Sequence, residues 1–141
     1  TPMIAWWPEH VPAGTINRQV AHIIDILPTC LDVARGTYPS EFDGHEILPC
    51  EGSTMLPLLL GDDRSPPAQL AWFWSGNRAI RQGNWKLVWD KDVKAWELYD
   101  LSKDRCETNN LAADQSERVE QLSAAWHAWA QQMELSPGKV K

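Results

Sequence analysis

Few side chains in this sequence have the type and spacing that catalysis requires. Asp62 and Asp63 are the pair best suited to a hard cation, because Mg²⁺ and Ca²⁺ prefer carboxylate oxygens. No third oxygen ligand lies close to them in sequence, and the neighbouring Gly61 and Pro66 indicate a solvated turn instead. The other metal-ligating residue types are scattered: Cys30, Cys50, Cys106, His10, His22, His45 and His127. They match neither a C-x-x-C nor an H-E-x-x-H motif, so we expect no catalytic and no metal-ligating residue here.

Nine tryptophans are the other feature with chemical potential. An indole ring can stack on a sugar ring, and its N–H can donate a hydrogen bond. Five of them fall on neighbouring predicted strands: Trp72, Trp74, Trp85, Trp89 and Trp96. They could form a sugar-binding platform, or they could fill the space between a sheet and the last helix. We favour core positions on the Trp85 face, and we expect Trp74, at a strand end beside Ser75 and Asn77, to be exposed.

The composition limits the classes to which the protein can belong. Its 141 residues carry 13 basic and 19 acidic side chains, a net charge of −6, and 43% of the residues are hydrophobic. These values favour a globular protein over a disordered one. The acidic balance argues against a nucleic-acid partner, and the first residues form neither a signal peptide nor a membrane span. An odd number of cysteines favours three reduced, partly buried thiols.

Residues 1–67 are predicted to form a strand, a helix and an irregular Pro/Gly-rich connection. The apolar segment from Met3 to Trp7 is predicted to be a strand that starts almost at the first residue, as in a piece of a longer protein. Its open edge would favour dimerisation. Residues 19–24 alternate and favour an extended conformation. Asp25 is predicted to cap a helix that Gly36 ends, and a further short helix is predicted around residues 55–60, capped by Ser53 or Thr54. The apolar stripe of the first helix is Leu27, Leu31 and Ala34.

Residues 68–141 are predicted to form a four-stranded antiparallel sheet covered by a helix. The predicted strands are 70–74, 77–81, 85–89 and 96–101, joined by short turns. Trp85, Leu87 and Trp89 share one face because side chains alternate along a strand. An Asp114–Glu117 capping box starts the helix, and Ser136-Pro137-Gly138 ends it. Its apolar stripe is Val119, Leu122, Trp126, Trp129 and Met133. The fold class is therefore α+β.

Seven short segments occur in a characteristic order along the chain. They are TPMI with WP at residues 1–8, HIIDILPT at 22–29, DG at 43–44, LPLL at 56–59, GNRAIRQGNWKLV at 76–88, ELYDL at 97–101 and ETNNLA at 107–112. Together they resemble the C-terminal portion of the arylsulfatase-type sulfatases, which belong to the alkaline phosphatase superfamily. The resemblance implies that residues 1–67 contain a strand and helix left over from the large α/β catalytic domain. Residues 68–141 would be the C-terminal subdomain.

The resemblance also implies a parent enzyme that hydrolyses sulfate esters of small molecules or glycans. Such enzymes use a formylglycine made from Cys or Ser in a C/S-x-P/A-x-R motif, together with Ca²⁺ or Mg²⁺. None of the three cysteines here has an Arg at the motif position, and no Asp-Asn-Gly metal motif occurs. The segment is therefore expected to need no cofactor and to be inactive by itself, and the parent is expected to be periplasmic or secreted.

One departure from the family pattern concerns the rim of the substrate pocket. Family members often carry Glu-His-Glu before Gly-Asn-Arg, whereas this chain has Phe73, Trp74 and Ser75 there. The candidate rim residues are therefore Trp74, Ser75 and Asn77, which would make an apolar or stacking rim. Two alternatives remain open: a phosphodiester or phosphonate ester hydrolase of the same superfamily, and a non-catalytic glycan-binding module that uses exposed tryptophan.

Overall fold

A computed structural model describes residues 2–135 of the chain. The chain divides into two compact units, Thr1–Pro67 (the first unit) and Ala68–Lys141 (the second unit). None of the helices within residues 2–135 combines the length and the hydropathy needed to cross a lipid bilayer.

The first unit is mostly irregular. Its elements are a 3₁₀ turn at Ile23–Asp25, helix α1 at Ile26–Val33, the two-residue strands β1 (Glu41–Phe42) and β2 (His45–Glu46), and helix α2 at Leu56–Leu60. The short helix α2 is confirmed, but its N-cap residue is Met55, which makes no side-chain cap, and neither Ser53 nor Thr54 takes that position. The backbone N–H of Leu56 nevertheless donates to Thr54 Oγ1 at 3.1 Å. Helix α1 ends three residues before Gly36, whose N–H donates to the Leu31 carbonyl at 2.8 Å.

Two expectations about the secondary structure of the first unit are wrong. Residues 3–7 form no strand, because a strand needs a paired neighbour and no segment within residues 2–135 pairs with them. Dimerisation through a strand edge there loses its structural basis. Residues 19–24 are not a strand either, since Ile23 and Ile24 enter the 3₁₀ turn, which the Asp25 carboxylate closes by accepting the His22 N–H. Asp25 is the N-cap residue of α1, as predicted, but its side chain makes no cap hydrogen bond there. The predicted apolar stripe of α1 is only partly buried, because Leu27 and Ala34 are exposed.

The second unit contains the predicted antiparallel sheet. Its strands are β3 (Leu70–Trp74), β4 (Asn77–Gln82), β5 (Trp85–Asp90) and β6 (Ala95–Asp100), in the order β3-β4-β5-β6. Consecutive strands pair because their connections are two to four residues long, which permits only antiparallel neighbours. Gly83 has a positive φ of 57° in the β4–β5 turn, a conformation that glycine adopts without steric cost.

Helix α3, Ser116–Gln132, lies on one face of this sheet and confirms the α+β architecture. The core between them consists of Ile80, Leu87, Leu98, Leu122, Trp126 and Ala130. The indole N–H of Trp126 donates to the Trp72 carbonyl at 3.0 Å. The polar group of this fully buried ring therefore has a hydrogen-bond partner. Trp85, Trp96 and Trp129 pack around this core, which confirms the core interpretation for these tryptophans.

The helix boundaries differ in detail from the prediction. Gln115 precedes α3 as its cap residue without a side-chain hydrogen bond, so the predicted Asp114–Glu117 capping box does not form. Glu117 instead accepts a hydrogen bond from Gln121 one turn later in the helix. The helix ends at Gln132, and the predicted stop at Ser136-Pro137-Gly138 lies outside the described residues.

Candidate functional site

The tip of the β3–β4 hairpin carries the three candidate rim residues. Trp74 pairs with Asn77 across the sheet, and only Ser75 and Gly76 connect the two strands. Both connecting residues have positive φ angles, 50° and 88°, which is the geometry of a type I′ hairpin turn. Gly76 adopts this conformation without strain, whereas Ser75 must accept a left-handed backbone. A two-residue turn on paired strands fixes the tip, so its side chains are presented in a defined position.

Trp74 is the exposed aromatic residue of this hairpin, with 80% of its surface in solvent. Side chains alternate along β3, so Phe73 packs toward the core while Trp74 points to the opposite face of the sheet. The other six tryptophans of the second unit are buried or half-buried. The exposure predicted for Trp74 is therefore confirmed, and its flat ring is open to a planar ligand.

Asn77 and Lys91 complete the polar side of the tip. The side-chain oxygen of Asn77 accepts the backbone N–H of Lys91 at 3.1 Å and so ties the β3–β4 hairpin to the turn after β5. The amide nitrogen of Asn77 keeps its donors free of partners within residues 2–135. Lys91 is exposed, and its aliphatic stem packs beside Gly76. Local sequence patterns do not reveal the link between Lys91 and Asn77, because it spans fourteen residues.

Arg78 anchors the tip to the interior. Its guanidinium carbon lies 5.1 Å from the ring centres of both Trp89 and Trp126. Arg78 is buried, and this desolvation lowers the pKa of its guanidinium. The two cation–π contacts offset part of that cost, since each contributes about 0.5–2 kcal/mol depending on desolvation. Because Arg78 follows Asn77 directly, its contacts with the core fix the position of Asn77, one of the candidate rim residues.

Two polar contacts close the sheet face opposite α3. Lys86 pairs with Glu107 at 2.6 Å, and the Tyr99 hydroxyl donates to Glu97 at 2.9 Å. Burial, followed by the hydrogen bond and charge of Glu97, raises the pKa of Tyr99 to about 12. A tyrosine that stays protonated to this pH is a poor general base, and the paired Lys86 is already engaged. We therefore assign neither Tyr99 nor Lys86 the role of an activated nucleophile.

A buried ion pair organises the first unit, and sequence reasoning missed it. Arg64 Nη2 donates to Asp25 Oδ2 at 2.7 Å, and both side chains are only 6% exposed. Arg64 also donates to the carbonyls of Val20, Ser53 and Thr54, so one guanidinium joins three separate stretches of irregular chain. Arg64 lies in the segment predicted to be a solvated turn. Its partner lies 39 residues away, and no local pattern reveals such a distance.

Asp25 is held in its charged form by this network. Burial opposes its ionisation, but hydrogen bonds from Arg64 and from the backbone N–H groups of Ser53 and His22 outweigh that effect. The pKa of Asp25 is consequently lower than its ordinary value. Thr29 extends the network, since its hydroxyl donates to the Asp25 carbonyl at 2.6 Å and accepts the Met55 N–H at 2.8 Å. These contacts of Asp25 connect separate segments of the first unit. We therefore assign Asp25 a structural role and not a catalytic one.

The other residue types that could have bound a metal remain dispersed. Asp62 and Asp63 are exposed, and the Asp63 carboxylate accepts a hydrogen bond from the Gln19 side chain. No group of three or more His, Cys, Asp or Glu side chains within residues 2–135 is placed to hold a metal ion. The three thiols are free, but the expected partial burial holds only for Cys50, since Cys30 and Cys106 are exposed.

Comparisons of sequence place this chain among sulfatases. It is 31% identical over 136 residues to an uncharacterised sulfatase of Schizosaccharomyces pombe, a match that covers 89% of this chain and 24% of that protein. It is 30% identical over 115 residues to the N-acetylgalactosamine-6-sulfatase of Sus scrofa, covering 79% of this chain and 20% of that protein. The chain thus spans about a fifth to a quarter of the length of these relatives. No protein-family model matches it.

Comparisons of structure agree at the level of the fold. The solved structure of BT1596, described as a 2-O GAG sulfatase, superposes with a TM-score of 0.62 at 23% identity, over 83% of this chain and 26% of that one. BT4656, solved with its substrate D-glucosamine-2-N,6-O-disulfate, gives 0.58 at 23% identity, over 83% of this chain and 25% of that one. The structural similarities, at 23% identity, show the shared fold. The sequence matches show that the chain belongs to the sulfatase family, as the C-terminal portion of such a protein.

Proposed function

We propose that this chain is part of an enzyme that hydrolyses sulfate esters, and that the chain has no such activity by itself. The observation that carries the proposal is the similarity to sulfatases over 89% of the chain. In this proposal the first unit is the end of the α/β catalytic domain, and the second unit is the C-terminal subdomain. The parent would act in the periplasm or outside the cell.

The catalytic groups of the parent would come from outside this chain. Sulfatases combine a formylglycine nucleophile with Ca²⁺ or Mg²⁺, which stabilises negative charge on the sulfuryl oxygens. The residues described here do not fit that cation, because within residues 2–135 they form no ligand cluster. Cys30, Cys50 and Cys106 do not fit the nucleophile, because none lies in the modification motif. We therefore assign no step of the hydrolysis to these residues.

The contribution that we propose for this chain is a substrate rim formed by Trp74, Ser75 and Asn77. The Trp74 ring would stack on a sugar, and the free amide donors of Asn77 would hydrogen-bond its hydroxyl or sulfate oxygens. The names of two similar proteins specify aminosugar sulfates, N-acetylgalactosamine-6-sulfatase and the enzyme solved with a disulfated glucosamine. A sulfated glycan is therefore the substrate class that the rim favours.

The test uses an aryl sulfate and Ca²⁺ with the 141-residue chain and with a longer polypeptide that continues it on the N-terminal side. We expect turnover by the longer polypeptide and none by the 141-residue chain. Turnover by the chain alone would overturn the proposal that it is inactive. A longer polypeptide that cleaves a phosphate diester and leaves the aryl sulfate intact would favour the phosphodiesterase alternative.

A second candidate function, glycan binding without turnover, is favoured by the exposure of Trp74. We expect titration of the 141-residue chain with a sulfated disaccharide to change its tryptophan fluorescence in that case. Trp74→Ala should abolish the change, whereas Trp6→Ala, which removes an equally exposed ring from the first unit, should leave it intact. Equal responses from both variants would exclude Trp74 as the binding ring.

A further inference from the structure

The sheet face opposite α3 contains a half-buried arginine, Arg81, that has no carboxylate partner in the described part of the chain. Arg81 follows the core residue Ile80 on β4, so its side chain points away from α3. Arg81 Nε donates to the Gly83 carbonyl at 2.8 Å, which ties the guanidinium to the β4–β5 turn. Its two terminal nitrogens have no partner within residues 2–135. They form a fork of N–H groups that can bind two oxygens of one anionic group.

Two further cations lie next to Arg81. Lys86 is directly opposite it in the β4–β5 pairing, and like charges in such a pair destabilise a sheet. Lys86 is neutralised, because both carboxylate oxygens of Glu107 accept from its Nζ, at 2.6 and 2.8 Å. The same contact brings Arg105, two residues before Glu107, to this side of the sheet. Burial lowers the pKa of the Arg81 guanidinium, and the charge of Arg105 lowers it further, so the two arginines repel each other.

The acidic side chains around these cations already have partners. Glu107 is engaged in the ion pair just described. Asp104 accepts two backbone N–H groups of its own loop, at 2.7 and 2.8 Å, and Glu97 accepts a tyrosine hydroxyl at 2.9 Å. Within residues 2–135, neither Arg81 nor Arg105 forms an ion pair with any of them. An anion bound between the two guanidinium groups would replace their repulsion with two attractions.

We propose that Arg81 and Arg105 bind a sulfate group, carried by a glycan or present as inorganic sulfate. The fork of Arg81 would bind two of its oxygens, and the exposed Arg105 would bind a third. The site is distinct from the rim at Trp74, because Arg81 pairs with Leu70 at the opposite end of β3, about 13 Å along the strand. The choice of a glycan as the carrier rests on the proposed function, whereas the anion site itself does not.

Nuclear magnetic resonance of the isotopically labelled 141-residue chain can test the site, because the Nε–H signal of each arginine reports on its own guanidinium. Titration with sodium sulfate, at an ionic strength held constant with sodium chloride, should shift the Arg81 and Arg105 signals to saturation. Arg81→Gln and Arg105→Gln should each weaken binding by on the order of tenfold or more. Because Arg105 is exposed, its variant keeps the test valid if Arg81→Gln destabilises β4. Arg18→Gln removes an exposed arginine of the first unit and should leave the affinity unchanged.

A sulfated disaccharide and the same disaccharide without sulfate distinguish the two sources of the anion. Tighter binding of the sulfated disaccharide than of inorganic sulfate would support the site and assign it to a glycan. Equal affinities of the sulfated disaccharide and inorganic sulfate would support the site and assign it to the free anion. Equal binding of the two disaccharides would overturn recognition of sulfate.

Two further results would also overturn the site. One is a shift that does not saturate, or that Arg18→Gln reduces as much as Arg81→Gln does. The other comes from the same titration of the longer polypeptide, which should bind sulfate with similar affinity. Loss of binding there would mean that a carboxylate of the preceding polypeptide takes the place of the anion. These measurements need no turnover, so a parent that hydrolyses a different ester would contradict the proposed function and leave the sulfate site intact.

Discussion

The two units of this molecule have different interiors: the interior of the second unit is apolar, and that of the first unit is mainly polar. In the second unit, apolar side chains from the sheet and from α3 interlock around Trp126. In the described part of the first unit, the buried residues are Asp25, Thr29 and Met55, and two of these three are polar. The first unit is therefore organised by hydrogen bonds and one ion pair, with its apolar side chains largely outside. A segment built in this way defines a chain path but gains little hydrophobic stabilisation.

The difference predicts that the interior of the second unit is the more costly to disrupt. Trp126→Ala should destabilise the second unit by about 3–5 kcal/mol, because it leaves a large cavity and removes the hydrogen bond to the Trp72 carbonyl. Hydrogen exchange resolved by peptide should show protection lost over residues 70–132. His127→Ala, at the neighbouring exposed position of the helix, is the control and should cost little. Equal losses for the two variants would contradict a core centred on Trp126.

The stability of the first unit should depend on its Asp25–Arg64 ion pair, as that of the second unit depends on Trp126. Arg64→Ala leaves the Asp25 carboxylate buried without its cation, a change that costs about 3 kcal/mol or more. Exchange should accelerate over residues 20–66, while the sheet of the second unit keeps its protection. Arg64→Lys should rescue only part of the loss, since an ammonium cannot reproduce a planar fork that reaches several carbonyls. Arg18→Ala removes an exposed arginine and serves as the control; a loss as large as that of Arg64→Ala would rule out a specific effect of the pair.

The same contrast explains how far sequence patterns predict this structure. The sheet and α3 follow from alternation and helical spacing, because in the second unit apolar periodicity and burial coincide. The pattern failed at residues 3–7 and at residues 19–24, where apolar side chains have no described strand beside them. The sequence pattern also did not predict the role of Arg64, because an ion pair between residues far apart in sequence produces no periodicity. Trp74 was predictable as exposed from its place at a strand end, whereas the link from Asn77 to Lys91 required the paired strands.

The stability of the first unit should depend on pH through Asp25. The pKa of Asp25 is lower in the folded chain than in the unfolded one, so its contribution to stability is present above the unfolded pKa of about 3.9. That contribution is lost as the pH falls through the lower, folded value. Exchange over residues 20–66 should therefore rise below about pH 4. Asp25→Asn should be less stable at pH 7 and should show a smaller acid-dependent change. An unaltered acid transition in this variant would show that other carboxylates control it.

The smallest expected effect concerns Trp74, which belongs to the well-packed unit but not to its interior. Trp74→Ala should change the free energy of unfolding of the second unit by no more than about 0.5 kcal/mol, because a ring exposed by 80% loses little contact on removal. Trp96→Ala is the matched comparison, since Trp96 packs 6.3 Å from Trp126 between ring centres, and it should cost clearly more. Urea denaturation followed by circular dichroism measures both. A large cost for Trp74→Ala would mean that the ring stabilises the hairpin, whereas a negligible cost leaves ligand contact as the role that its position favours.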